Sequence, residues 1–250
     1  MSKEIAVDKK DSFLLARLED ACEKNYAPQF FDFYDEAMQA KMTRQLQRSG
    51  EPFAFFGGMA EAGRKMLCIY PEYVEADSLE WPMLALRFQA DFPLEHRNIL
   101  GELMGMGITR ECIGDINVDD GEVQVIFVER LRDFMAMNFT RVKGRSIKPE
   151  FYPVSEIKGY ALKFKRLELV AASDRLDGII NKIWGFSRQD SLTYIRQRRV
   201  RVNYEEVEKN DFRVKSGDVI ALRGKGKARV VSLGGQTKKG KLRLVVDRYV

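Results

Sequence analysis

The 250-residue chain carries 42 Lys and Arg against 37 Asp and Glu, a net charge of +5, with 45% hydrophobic residues, so it is long and apolar enough for two or three folded domains. No run approaches the ~18 apolar residues of a membrane span, and Met1-Ser2-Lys3-Glu4 leads into Asp8-Lys9-Lys10-Asp11 instead of an apolar signal region, which implies a cytoplasmic protein with no membrane partner. Cys22, Cys68 and Cys112 lie far apart without CxxC spacing, which points away from a disulfide framework and a metal site.

Residues 11–24, with Phe13, Leu14, Leu18 and Cys22 near helical spacing, predict an amphipathic helix, and 33–47 a second one ended by Gly50-Glu51-Pro52. The apolar stretches 53–56 and 66–70 read as two short strands around a glycine-containing connection. From Met83 the order becomes strand (83–88), helix (94–106), strands 112–118 and 122–128 joined at Asp119-Asp120-Gly121, helix (129–138) and strand (146–152). That βαββαβ order fits a ferredoxin-like or RRM-like sheet on two helices, and the Asp-Gly turn marks its central hairpin. The segment lacks the aromatic RNP sequence of a true RRM. Beside its last strand, Arg141, Lys143, Arg145 and Lys148 form a cationic tract, readable as an RNA-facing edge or as a solvated loop.

The charge is segregated along the chain. Residues 1–140 hold 15 cationic and 25 acidic side chains, residues 141–250 hold 27 and 12, a pattern that calls for a polyanion partner of the C-terminal part. There Asp174 is placed to cap a helix carrying Leu176, Ile179, Ile180 and Ile183 at core spacing, and Gly185 ends it. Ser187-Arg188-Gln189-Asp190 opens a second helix with a capping box, and period-two alternation in 199–203 sends Val200 and Val202 one way and Arg199, Arg201 and Asn203 the other. After Gly217-Asp218 a strand delivers Arg223, and Gly224-Lys225-Gly226-Lys227-Ala228-Arg229 extends the basic stripe.

Arg175-Leu176-Asp177, Ser187-Arg188, Ile195, Val200-Arg201-Val202-Asn203 and Gly217-Asp218-Val219-Ile220 resemble, in order and spacing, the S-four domain, an RNA-binding module named after ribosomal small-subunit protein four. Two positions depart from that pattern. Arg198 stands where the family usually has a helix-closing glycine, and so would need a left-handed backbone, and Tyr204 stands where Val-Asn-Gly is common. Phe55-Phe56-Gly57-Gly58, Arg64-Lys65, Tyr70-Pro71-Glu72-Tyr73, His96-Arg97, Leu100-Gly101, Met106-Gly107-Ile108, Arg110 and Ile113-Gly114-Asp115-Ile116 resemble the YlmH family of bacterial proteins, whose relatives include photosystem-II S-four proteins.

The resemblance implies an α+β chain in three parts: a small N-terminal α/β domain (1–78), a central ferredoxin-like or RRM-like βαββαβ domain (79–158) and a C-terminal S-four (αL-type) RNA-binding domain with a β-hairpin extension (159–250). It also implies binding of structured rRNA or tRNA at the large ribosomal subunit, in ribosome quality control or linked to cell division. Candidate RNA contacts are Arg175, Ser187, Arg188, Gln189, Arg196, Arg198, Arg199, Arg201, Asn203, Arg223, Lys225, Lys227 and Arg229. The acidic N-terminal half is a candidate protein-binding surface.

No catalytic residue, cofactor or metal is expected. His96 is the one histidine and no GxSxG accompanies it. Gly224-Lys225-Gly226-Lys227 lacks the spacing of a phosphate-binding P-loop. The competing reading is an RNA-modifying enzyme that docks through its S-four domain, but residues 1–160 show neither a cofactor loop after a strand nor a synthase-like catalytic Asp.

Overall fold

The computed structural model describes residues 2–157, 164–237 and 240–249, with side chains from residue 12 onward. Its contacts divide the chain into two compact units, Met1–Tyr160 and Ala161–Val250. Among the described residues no helix is long and apolar enough to cross a membrane.

The first unit opens with α1 (Ser2–Glu23), longer than expected because residues 2–10 contain no glycine or proline to stop it. Next come β1 (Gln29–Tyr34), α2 (Glu36–Ser49), β2 (Phe53–Phe56) and β3 (Lys65–Ile69). The strands pair antiparallel in the order β1-β3-β2. The helix expected over 33–47 is thereby corrected. Phe31 and Phe33 are buried at period two in a strand, and the helix starts only after Asp35, whose carboxylate accepts the Met38 N–H at 2.9 Å. Leu14, Leu18 and Ala21 of α1 pack with Met42 and Leu46 of α2 over Phe31, Leu67 and Ile69.

Next come β4 (Met83–Gln89), α3 (His96–Gly105), β5 (Ile113–Asp119), β6 (Glu122–Val128) and α4 (Arg132–Asn138). The short hairpin β7 (Arg141–Val142) and β8 (Arg145–Ser146) and the strand β9 (Glu150–Pro153) follow. The order β5-β6-β4-β9, antiparallel throughout, is the ferredoxin-like arrangement expected from the βαββαβ pattern. Asp120 and Gly121, with φ of 47° and 82°, make the anticipated tight turn. The single strand expected over 146–152 is instead divided: residues 141–146 fold on themselves, and only Glu150–Pro153 joins the sheet.

Arg64 and Asp115 tie the two sheets of this unit together. Arg64 donates from Nε to Ile113 O (2.9 Å) and from Nη2 to Phe33 O (2.8 Å) and Arg110 O (3.1 Å). Asp115 accepts the backbone N–H groups of Gly63 and Arg64 at 2.7 and 3.1 Å. Gly114 permits the approach, because a Cβ there would lie 2.9 Å from Phe33 and 3.1 Å from Ile126.

The second unit is a six-stranded antiparallel sheet of β10 (Phe164–Ala171), β11 (Val200–Val202), β12 (Glu205–Glu206), β13 (Val219–Leu222), β14 (Gly226–Gln236) and β15 (Leu242–Tyr249). Its order is β10-β15-β14-β13-β11-β12. The helices α5 (Leu176–Trp184) and α6 (Arg188–Arg196) cover one face, burying Leu176, Ile179, Ile180, Ile183 and Ile195 against Val200, Val202, Ile220, Leu222, Val230, Leu244 and Val246. Asp174 does not cap α5. The N-cap is Arg175, and Asp174 accepts a hydrogen bond from Arg213 Nη1.

Candidate nucleic-acid interface

Gly185, with φ of 72°, closes α5, and the capping box starts α6 three residues later: Ser187 Oγ accepts the Asp190 N–H at 3.0 Å and donates to Asp190 Oδ2 at 2.7 Å. The Ser187 hydroxyl therefore sets the helix start. The side chains that flank it, Arg188 and Gln189, are exposed.

Asp177 is 2% exposed and takes two hydrogen bonds from Arg175, Nε at 3.1 Å and Nη2 at 3.2 Å, with Arg188 Nη2 at 3.6 Å from its second oxygen. Burial alone would raise this carboxyl. The hydrogen bonds and charge of Arg175, the Gly178 N–H and the charge of Arg188 outweigh it and hold the group below its ordinary 3.8. Arg175, Asp177, Lys182 and Arg188 line a cavity of about 200 Å³.

A carboxyl depressed in the folded state stabilises at pH above its ordinary value, and that contribution fades as pH falls through the native one. Asp177→Asn is thus expected to cost about 2 kcal/mol at neutral pH, because Arg175 is about one-third exposed and re-solvates partly. The gap from wild type narrows below pH 4, as urea titrations across that range will show; a gap independent of pH refutes the assignment.

At the other end of α6 the chain turns through Arg198, whose φ of 54° is left-handed as its departure from the glycine pattern requires. Arg198 N–H bonds Ile195 O at 2.9 Å and Arg199 N–H bonds Tyr194 O at 3.0 Å, the paired bonds that normally accompany a glycine. This turn sets Arg199 against the tip of the β13–β14 hairpin. Its guanidinium lies 4.7 Å from the Tyr194 ring centroid and donates to Arg223 O at 2.9 Å. From the tip, Lys225 Nζ sits 5.7 Å from the centre of Phe186, its carbonyl accepts Trp184 Nε1 at 3.0 Å, and Phe186 and Tyr194 stack at 5.0 Å. Loop, helix end and hairpin tip thus form one continuous ridge of cations interleaved with rings.

Not every expected contact joins this ridge. Because Val200 and Val202 are core, Arg201 faces the opposite side of the sheet, where Glu206 holds it at 3.2 Å. Lys227 shares that face, over the Tyr249 ring at 4.8 Å, and so does Arg229, in register with Asp247. The expected common side for Arg199, Arg201 and Asn203 is corrected accordingly, since the left-handed turn at Arg198 interrupts the alternation. Asn203 closes a turn: its amide donates to Asp218 Oδ1 at 2.8 Å and accepts the Val219 N–H at 2.9 Å. Asp218, buried, also accepts the Lys215 N–H at 2.7 Å, so the Gly-Asp and Val-Asn signatures lock each other.

The chain's own carboxylates meet part of the basic set. Glu208 pairs with Arg198 at 2.9 Å, besides the pairs already described for Arg175, Arg188 and Arg201. The pairs at Arg198 and Arg201 are solvent-exposed on both sides and contribute about 0–1 kcal/mol each, so a phosphate can displace them. Among the described residues Arg196, Arg223 and Lys225 have no carboxylate partner and are exposed. The rings Trp184, Phe186 and Tyr194 escaped the sequence reading of the site, although their spacing around the Ser187 cap was visible.

Comparisons with known proteins divide along the same lines. The family model described as "Putative RNA-binding domain in YlmH" matches residues 76–156, and the S4 (S-four) domain model matches 175–220. The chain is similar to the ribosome-associated protein quality control protein P2 of Bacillus subtilis, 29% identical over 229 residues, covering 90% of this chain and 89% of the relative. It shares its fold with a solved structure, the cell division protein ylmH from Streptococcus pneumoniae, with a TM-score of 0.53 and 16% identity over 60% of this chain and 93% of that one.

Proposed function

For a chain that belongs to the YlmH family, with an S-four domain at its C-terminal end, we propose a non-catalytic, cytoplasmic factor that grips structured RNA on the ridge between α6 and the β13–β14 tip. The observation that carries this reading is the set of exposed cations without carboxylate partners among the described residues, Arg196, Arg223 and Lys225, with Lys225 over Phe186 and Arg199 over Tyr194. Lysine and arginine heads meet phosphates, and ring and guanidinium faces accept unstacked bases, the combination that structured RNA offers at loops and bulges. Arg198 and Arg199 continue the ridge at the α6 end, and we assign Arg175, Arg188 and Gln189, around the Asp177 cavity, as further contacts. Ser187 and Asn203 act by positioning it, and Arg201, Lys227 and Arg229 form a separate basic patch on the far face of the sheet.

The name of the Bacillus relative supports the ribosome as the place of binding, and we propose structured rRNA or tRNA at the large subunit as the RNA. We assign 1–78 and 79–158 as the two modules of the first unit, with the acidic surface of residues 1–140 available to a protein partner. The full chain is expected to sediment with the large subunit and to leave it on salt washing. Raising monovalent salt from about 50 to about 200 mM lowers affinity roughly 10³-fold if six or more phosphates are contacted. Retention unchanged by salt contradicts the electrostatic grip. A single RNA modification missing from a deletion strain and restored by the protein contradicts the non-catalytic assignment.

A further inference from the structure

The hairpin β7–β8 and the residues just after it carry cations that no carboxylate pairs with among the described residues. Lys143 and Gly144 both have positive φ, 52° and 75°, the tight two-residue turn that fixes hairpin register. Ile147 N–H closes the base on Thr140 O at 2.9 Å, and Val142 and Ile147 are buried in the core of the ferredoxin-like sheet. The hairpin is therefore anchored. Arg141, Lys143, Arg145 and Lys148 all remain exposed on it, Arg145 with its guanidinium 4.9 Å from the Phe92 ring centroid. Among the described residues none of these four enters an ion pair, although residues 1–140 of the same unit carry 25 acidic groups. Elsewhere that surplus is used: Arg97 takes Glu95, Arg130 takes Asp32, and Arg132 takes Asp133.

We propose that this hairpin is a second RNA-contact site, which binds the phosphodiester backbone independently of the C-terminal ridge. The inference rests on the RNA-binding reading and assigns the contact to one hairpin within residues 76–156, the stretch matched by the family model described as "Putative RNA-binding domain in YlmH". Four cations within eight positions repel one another, and holding them on a rigid turn favours a polyanion that neutralises several at once. The neighbouring groove of about 760 Å³ does not take the strand, because Asp91, Glu122 and Glu150 line it. The backbone instead follows the outer edge of the hairpin, across Arg141 and Lys143, and reaches Lys148 at the rim of that groove.

The test uses the full chain with Arg141→Gln, Lys143→Asn and Lys148→Gln combined. Asparagine tolerates the positive φ at 143, and Arg145 stays on Phe92 to preserve the fold. A second variant, Lys148→Glu alone, lies outside the turn and guards against misfolding. Binding of a fluorescein-labelled RNA stem-loop is followed by anisotropy over a KCl series, beside a chain altered in the C-terminal ridge. We expect the triple variant to bind about 10-fold more weakly, with a log–log salt slope shallower by about 2, since each lost phosphate contact removes roughly 0.7–0.9. Lys148→Glu shifts both in the same direction. Wild-type affinity and slope in both hairpin variants, with the ridge variant impaired, overturn the inference and leave an acidic protein as the hairpin's partner. Wild-type binding by the ridge variant as well overturns the RNA-binding reading on which it rests.

Discussion

A chain carrying Arg196→Glu, Arg223→Glu and Lys225→Glu is expected to bind structured RNA about 100-fold more weakly than wild type at physiological salt, on the order of 1 kcal/mol for each reversed contact. The three side chains are exposed and have no carboxylate partner among the described residues. Their removal therefore leaves no buried charge stranded. Only Lys225 has a packing role, over Phe186, and losing it costs about 0.5–1 kcal/mol of fold stability.

A slope measurement separates the surface from a general change of charge. Each lost contact flattens the log–log dependence on salt by about 0.9 on duplex and about 0.7 on single strands, so the triple variant flattens it by roughly 2–3. Arg201→Gln is the control, because Arg201 lies on the far face of the sheet, away from the ridge. It should change affinity less than about threefold. Because the triple variant changes the net charge by six units and Arg201→Gln by one, equal losses per unit of charge mean that net charge alone draws the RNA, and no loss from the triple variant removes the ridge from the binding surface.

The fold was legible wherever local chemistry and burial agree. Asp120-Gly121, the apolar spacing of Leu176, Ile179, Ile180 and Ile183, and the Ser187–Asp190 capping box each specify one backbone geometry, and the structure adopts it. Legibility failed where long-range partners decide. Phe33 and Tyr34 suit either a helix or a strand, and only pairing of β1 with β3 selects the strand. Asp174 has the chemistry of an N-cap, yet Arg213, distant in sequence, takes its carboxylate.

At the candidate site the cations were readable as a cluster, but their division between two faces was not. Alternation places Arg199 beside Arg201 only if the strand begins before Arg199, and the left-handed turn at Arg198 delays it to Val200. Asn203 illustrates the opposite case. Its place in the family pattern marked it for RNA, while its amide is spent on Asp218 and Val219. A signature position is thus retained for the turn that aims the cations as readily as for the contact itself.

Arg64 entered the sequence reading as a matter of resemblance and Gly114-Asp115 also as a turn leading into a strand, whereas Gly114 and Asp115 both lie within β5, and the structure supplies their physical reason. Arg64→Met is expected to lower the stability of the first unit by about 3 kcal/mol, because the carbonyls of Phe33 and Arg110 lose a charged donor in a half-buried site, while Ile113 O keeps Arg110 Nη1 at 2.7 Å. Burial pulls the Arg64 pKa down, and nearby Asp35, Asp115 and Glu111 oppose that shift. A methionine fills the space and offers no donor. Lysine restores little, because one ammonium does not span carbonyls that the planar guanidinium meets with separate N–H groups.

Trp81 makes the effect measurable in one unit. It packs edge-on against Phe30 at 5.4 Å and tilted against Phe56 at 5.6 Å, and in a Trp184→Phe background it is the sole tryptophan. Its thermal transition should fall by about 10 °C in Arg64→Met, at roughly 2–4 °C per kcal/mol for a unit of this size. In the complementary Trp81→Phe background, with the same Arg64→Met change, the transition reported by Trp184 should stay in place, since none of the lost hydrogen bonds reaches the second unit. An unmoved Trp81 transition means that Arg64 merely rests against carbonyls already satisfied by other donors. The two sheets of the first unit would then be held by the packing of Phe33, Met66, Met83 and Ile126 and by the hydrogen bonds of Asp115 to the Gly63 and Arg64 N–H groups.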